Sequence, residues 1–397
     1  MSVRLGVTDR AAVASLILER IVYAVNWYNL AAVFSFAASE LNQNVSGLGF
    51  VTATFYLGIG IFQVPGGILV AKIGPRLTAI YGTTIASLAV LLTGFASNLV
   101  EIAVLRFLVG LGMAFVFAPG VILITRFLQK GSEGLGVGLY NSAFYLGSAI
   151  GLSGWSVLAG AVGWRNSLVT SGALGLLTSV LLLVSIPKDS RRSGFRVDLP
   201  HVKVVLFNKW LIAISVAMLG LGVGNTVVGN FMAYYVENAI HVGVGAAGTI
   251  ASLASLSALV AAPFMGRLFD RSGNAKQLLF ASGILMAFGV GIAFFGTIYS
   301  AILSGILVGL AAGAGFTFGF SAARAANNID PEYETLAVSW VNSISLFGDS
   351  VPPLLFSFLV IQYGYPPAWL CLTVLTFVLM IPVLFAKVSK RKQVGDY

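Results

Sequence analysis

The chain of 397 residues is 58% hydrophobic and only 9% charged, where soluble domains carry about 45–50% and about 25%. This excludes a string of ordinary soluble domains and makes lipid the solvent for most of the chain. A formal charge of +9 would suggest nucleic acid in a soluble protein, but the placement of the charges decides otherwise.

Taken in chain order, apolar stretches long enough to cross about 30 Å of hydrocarbon are predicted at 12–38, 47–71, 77–97, 100–126, 136–160 and 166–187. Six more follow at 210–237, 243–265, 275–297, 300–325, 334–361 and 366–387. The first is read as a retained helix, because no small-residue cleavage site separates it from the next. The fold class expected is an all-α integral membrane protein with twelve transmembrane helices. Its 46 glycines suit close helix packing in lipid.

All of the 23 basic residues except Arg20, Arg106 and Arg165 fall at the termini or in the even-numbered connections. By the positive-inside rule both termini are cytoplasmic, in a multi-pass protein of the cell membrane. The positive charge is then a topology signal, and no nucleic-acid partner is expected. A single cysteine, Cys371, cannot form an intramolecular disulfide. The two histidines, His201 and His241, lie in polar connections. No metal site and no cofactor is expected.

The halves repeat. Gly67 and Gly266, Asn26 and Asn225, and Leu108–Leu111 and Leu307–Leu310 all correspond at an offset of 199. Asn141-Ser142 and Gly147 match Asn342-Ser343 and Gly348 at 201. A parallel six-plus-six repeat places a solute site near the midplane between two pseudo-symmetric bundles. The bundles are expected at 1–187 and 210–397, joined by a cytoplasmic linker at 188–209 that is rich in Lys, Arg, Ser and Asp.

Gly266-Arg267-Leu268-Phe269-Asp270-Arg271-Ser272-Gly273 fits the pattern G-x-x-x-D-[RK]-x-G, which Gly67 to Arg76 repeats with Ala71 in the acidic place. Arg106-Phe107-Leu108-Val109-Gly110-Leu111-Gly112 and Gly163-Trp164-Arg165 are two further elements. In these features the whole chain resembles the major facilitator superfamily. The resemblance implies a secondary transporter working by rocking of its halves, with protons as the usual coupling ion. It also implies a cytoplasmic latch, here Asp270, Arg271 and Arg324 in the second half, and Lys72, Arg76, Arg126 and Glu133 in the first. Ala71 should weaken the first-half latch.

Ionisable groups inside spans are costly and point to function. Arg106 lies on helix 4, which lines the cavity in the family, and the matching arginine in relatives serves binding or coupling. It is the first candidate to hold a carboxylate or phosphate, the competing reading being a snorkelling side chain. Asp349, the most deeply placed carboxylate, and Glu19 are the proton-coupling candidates. Asp349 has as its alternative a hydrogen-bonded contact with Tyr56 or Gln63. Glu19 and Arg20 point to different faces of helix 1, one towards the cavity and the other towards the cytoplasmic headgroups. Asn26, Tyr28, Asn29, Asn225, Asn230, Tyr234, Asn141, Tyr145 and Asn342 form the candidate polar lining, with interhelical bonding as the competing use of each. Trp27, Phe115 and Phe316 supply apolar walls.

No phosphate-binding G-x-x-x-x-G-K-[ST] loop is present, so a gradient is the expected energy source and the chain is not read as an enzyme. The reading is proton-coupled symport of a small organic anion by a monomer. A drug exporter, a carrier of a neutral solute such as a sugar, and a non-transporting receptor are the alternatives. Helix 5 lacks the Gly-Pro pair of the family's antiporters.

Overall fold

Lipid offers no hydrogen-bond partners, so each span must close its backbone bonds internally. The computed structural model describes residues 7–128, 133–188, 199–272, 274–324, 326, 329 and 334–385. Among them twelve helices are long and apolar enough to cross a membrane: α1 (Asp9–Glu40), α2 (Val45–Ile73), α3 (Pro75–Thr93), α4 (Leu99–Arg126), α5 (Gly136–Val162) and α6 (Trp164–Ser185). The second six are α7 (Lys209–Asn238), α8 (Val244–Met265), α9 (Ala275–Phe295), α10 (Ile298–Ala323), α11 (Leu336–Tyr363) and α12 (Tyr365–Phe385). The described residues contain no strand. One short helix, Leu199–Leu206, lies in the stretch read as a linker.

Local chemistry sets the helix ends. The Asn44, Asn98, Asn208 and Asn274 side chains accept from the first free backbone N–H groups of α2, α4, α7 and α9. At α4 the Glu101 carboxylate also accepts from the Ser97 N–H at 2.7 Å, completing a reciprocal cap. Gly163 and Gly364 turn α5 into α6 and α11 into α12 at φ 84° and 82°, a region that only glycine enters freely. Just past the first turn, Arg165 bonds the Glu40 carboxylate at 2.9 Å and the Gly94 and Ala96 carbonyls. It thereby ties α1, α3 and α6 together at the face away from the termini.

Within a half, helices approach through glycine. A Cβ on Gly110 of α4 would collide with the Phe55 carbonyl oxygen of α2 and stand 2.8 Å from the Ile59 nitrogen. Gly309 of α10, its repeat partner, meets the Ala254 carbonyl of α8 in the same way. The central helices are α1 and α7, whose apolar windows are 83% and 78% buried, against 33% for α12. The outward sides of the other helices carry exposed apolar groups such as Val184, Phe288 and Val260.

Two seams join the halves, α2 against α11 and α5 against α8. A Cβ on Gly49 of α2 would overlap the Ser357 hydroxyl of α11 and stand 2.8 Å from the Pro353 carbonyl oxygen. A Cβ on Gly248 of α8 would overlap the Ser156 hydroxyl of α5 and stand 2.6 Å from the Leu152 carbonyl oxygen. These contacts correspond at the repeat offsets of 199 and 201, and both lie towards the face away from the termini.

Three spans are broken, which hydropathy does not show. In α4, Pro119 withholds a donor from the Phe115 carbonyl, and the helix stops at Ala114 and restarts at Phe117. In α5, a π-turn occupies Ile150–Gly154. In α11, Pro352 and Pro353 leave the Gly348 and Asp349 carbonyls without helical donors, and the helix stops at Gly348 and restarts at Val351. At the repeat offset of 201 the α5 turn maps just past the α11 break.

Gly110→Val should lower the apparent Tm of detergent-solubilised protein, with about 1–3 kcal/mol lost to overpacking. Gly67→Ala, where a Cβ meets nothing within 4 Å, should leave it unchanged.

Candidate functional site

Where the halves meet at mid-height, Tyr28 of α1, Phe144, Tyr145 and Ser148 of α5, Asn225 and Gly229 of α7, Ala254, Ser255 and Ala258 of α8 and Phe316 of α10 enclose a cavity of about 50 Å³. Pockets that hold organic ligands are several times larger. Tyr28, Tyr145 and Asn225 of the expected polar lining stand in its wall, as does Phe316. Tyr28 packs into the space left by Gly229 of the opposite half, where a Cβ would be 2.9 Å from its ring.

The other expected residues sit elsewhere. Asn29 donates to the Asn26 amide oxygen at 3.2 Å and to the Ser171 hydroxyl at 3.0 Å, while Ser171 donates to Asn26 at 2.6 Å. This buried triad joins α1 to α6 behind the cavity. Asn230 donates to the Thr226 carbonyl at 2.8 Å and, at 3.5 Å, to the Tyr56 hydroxyl across the half boundary. The Tyr234 ring packs on Phe34 near the far end of α7. Asn141 and Asn342 are partly buried outside the cavity wall. Trp27 packs against Phe55, Tyr56 and Phe144, and Phe115 packs against Phe62.

Arg106 is 3% exposed and does not snorkel. Its two terminal nitrogens donate to the Asn26 and Trp27 carbonyls of α1 at 3.1 and 2.9 Å, and its guanidinium lies 4.6 Å from the Phe55 ring centre. Its Nε has no hydrogen-bond partner among the described residues. As arranged here, the group joins α4 to α1.

Arg20 departs from the sequence expectation that one member of the Glu19–Arg20 pair reaches the headgroups: it is 5% exposed. Its guanidinium sits 4.5–4.9 Å from the ring centres of Tyr23, Phe117, Tyr140 and Phe144. Rings held that close attract the cation but take no N–H bond in their plane. Nε and Nη1 have no hydrogen-bond partner among the described residues. Phe144 is a wall common to this box and the cavity. Glu19, beside it in sequence, is buried and accepts from the Tyr140 hydroxyl at 3.3 Å and the Thr83 hydroxyl at 3.4 Å. The run Arg20-x-x-Tyr23, with Phe144 and Tyr140 four apart on α5, is the sequence trace of this box, legible only once α1 is known to face α5.

Of the expected latch, Arg76 donates from Nε to the Ile186 carbonyl at 2.7 Å and from Nη2 to the Leu183 carbonyl at 2.6 Å. It thus closes the C-terminal end of α6, where a cation suits the helix dipole. Lys72 is exposed at the end of α2, and Arg126 ends α4. The side chains of Asp270, Arg271, Arg324 and Glu133 lie outside the described residues. Among the described residues no cluster of potential ligands suits a metal ion.

Residues 16–234 and 212–396 match the sequence profile of the Major Facilitator Superfamily, and the chain belongs to that family. It is 30% identical over 177 residues to the probable sulfoacetate transporter SauU of Cupriavidus necator, covering 45% of this chain and 41% of that one. It is 30% identical over 179 residues to the probable galactarate/D-glucarate transporter GudP of Escherichia coli, covering 42% and 39%. These matches span about two fifths of the length of each relative. Its fold is that of a bacterial homologue of the human lysosomal transporter Spinster, solved inward-facing and occupied, with a TM-score of 0.70, 18% identity, and 94% and 95% of the two chains covered. The chain is thus a multi-pass membrane protein of this superfamily.

Asn29→Leu should cost about 1–2 kcal/mol of stability by stripping partners from Asn26 and Ser171. Tyr145→Phe should leave the Tm unchanged and alter transport alone. Thermal melts beside uptake assays separate the two.

Proposed function

We propose that the protein is a proton-coupled symporter of a small organic anion, working as a monomer in the cell membrane with both termini cytoplasmic. The observation that carries this reading is Arg20: a buried guanidinium with two donor nitrogens, Nε and Nη1, that have no partner among the described residues, separated from the cavity by the Phe144 ring. A permanently charged donor of this kind recognises a carboxylate or sulfonate through charge-assisted hydrogen bonds. Movement of Phe144 would bring it to the solute. Arg106 adds a second fixed positive charge on the same side, with no described carboxylate in ion-pair contact. The names of two relatives, transporters of sulfoacetate and of galactarate or D-glucarate, support an acidic solute.

Glu19 supplies the coupling. Ionised, it competes with the solute for the field of the neighbouring Arg20; protonated, it leaves that field to the anion. Proton and anion then favour each other's binding, as symport requires. Tyr28, Tyr145 and Asn225 orient the remainder of the solute. Residues 1–187 and 210–397 act as two bodies on the 188–209 linker. The Gly49 and Gly248 seams close the face away from the termini, and the latch expected from the signature loops would close the cytoplasmic one.

In proteoliposomes with an inward proton gradient, labelled sulfonates or sugar diacids should accumulate, and a protonophore should abolish the accumulation. Arg20→Gln should lower kcat/KM for uptake by about 100-fold; unchanged uptake would remove Arg20 from the mechanism. With Gly49→Val and Gly248→Val together in a Cys371→Ser background, a cysteine at Ser255 should react faster, by about tenfold, with an impermeant thiol reagent added outside cells.

A further inference from the structure

Asp349 is buried, 3% exposed, at the break in α11 between Gly348 and Val351. Its Oδ1 has no hydrogen-bond partner, and no described basic residue is in ion-pair contact with it. Its repeat mate is Ser148, a hydroxyl in the cavity wall that bonds back to the Phe144 carbonyl at 2.8 Å. The carboxyl group therefore occupies a place that the duplicated plan gives to a small neutral group.

The surroundings make room for it. A Cβ on Gly222 of α7 would stand 2.6 Å from the Asp349 carboxyl carbon and collide with Oδ1. The Thr226 hydroxyl of α7 is hydrogen-bonded to the carboxyl group, and the phenols of Tyr56 on α2 and Tyr28 on α1 lie within reach of its charge. Tyr56 and Tyr28 come from the opposite half. The Tyr56 oxygen accepts from the Trp27 indole N–H at 3.3 Å and from Asn230 at 3.5 Å. Thr226 is hydrogen-bonded to both Tyr56 and Asp349 and so links the phenol of the first half to the carboxyl of the second. The Arg106 guanidinium is committed to the α1 carbonyls.

An unpaired carboxylate is too costly to enclose in this setting; it must be neutralised by a monovalent cation or reached by water. We propose that Asp349 is a second proton-binding site, located in the second half and read by Tyr56 of the first, distinct from Glu19. The half-to-half closure seen here belongs to the proton-loaded carboxyl. On release, the proton leaves to water on whichever side the halves have opened, and the carboxylate left behind keeps them from closing over it. No bond other than O–H forms or breaks. The inference rests on the carrier class of the protein and not on the identity of its solute.

The test needs no solute. Infrared difference spectra of the purified full-length protein, titrated in pH, should show a buried carboxyl C=O band that vanishes on alkalinisation and is missing from Asp349→Asn. Glu19→Gln should retain it. Gly222→Ala, which crowds the carboxyl without removing it, should shift the band and its titration midpoint. Superimposable spectra of wild type and Asp349→Asn at every pH would overturn the proposal. So would a carboxylate signal that responds to sodium and not to pH. With a transported anion in hand, Asp349→Asn should keep solute exchange while the proton-to-anion ratio falls by one; an unchanged ratio also overturns it. If the band titrates and no organic anion is carried, the reading of the solute fails and this one stands.

Discussion

In hydrocarbon every polar group must find its partner within the protein, and that requirement organises this molecule. It fixes the twelve helices, because a helix alone satisfies the backbone. It also accounts for the buried triad of Asn26, Asn29 and Ser171, and for the donation of Arg106 to carbonyls that already serve α1. Against that background the incomplete groups stand out. Arg20 has two idle donor nitrogens, and Asp349 has an idle acceptor. Arg20 lies behind the Phe144 wall of the central cavity, and Asp349 lies at the break in α11.

The second organising element is the loss of helical regularity at chosen depths. Proline removes donors in α4 and α11, and glycine permits the π-turn in α5. Such irregularities are tolerated in lipid only where the freed backbone is covered or lines a cavity. The α11 break carries Asp349 and the α5 turn follows Ser148, its repeat mate. The halves are thus alike in framework and unlike in charge, with a basic group near α1 and an acidic one on α11.

Much of this was legible in the sequence, for physical reasons that differ by level. Hydropathy gave the spans to within a few residues, because lipid imposes both length and composition. The shared offsets pointed to a duplication, and of the expected polar lining Tyr28, Tyr145 and Asn225 share the wall of one cavity. Side-chain direction was not legible. Asn26 and Asn29 read as cavity groups until α6 is seen to supply Ser171, and Arg106 read as a solute ligand until its fork is seen on the α1 backbone. Which of Glu19 and Arg20 faces the headgroups is open in the sequence, and neither does; nothing in that neighbourhood of sequence announces Phe117, Tyr140 and Phe144. The helix breaks leave the hydropathy profile untouched, so they too waited for coordinates.

The paired notches at Gly49 and Gly248 have one more implication. In each, a glycine of one half receives a serine of the other, and exchange of the halves converts one contact into its mate, down to the neighbouring carbonyls of Pro353 and Leu152. A contact in which residue i meets j while j meets i is isologous, the kind made by two identical subunits about a twofold axis. The single chain therefore retains the interface of a homodimer of six-helix units. Mutational drift at either seam is constrained from both ends of the gene, since a larger residue at a glycine in one half must be accommodated by a serine encoded about 300 or about 90 codons away.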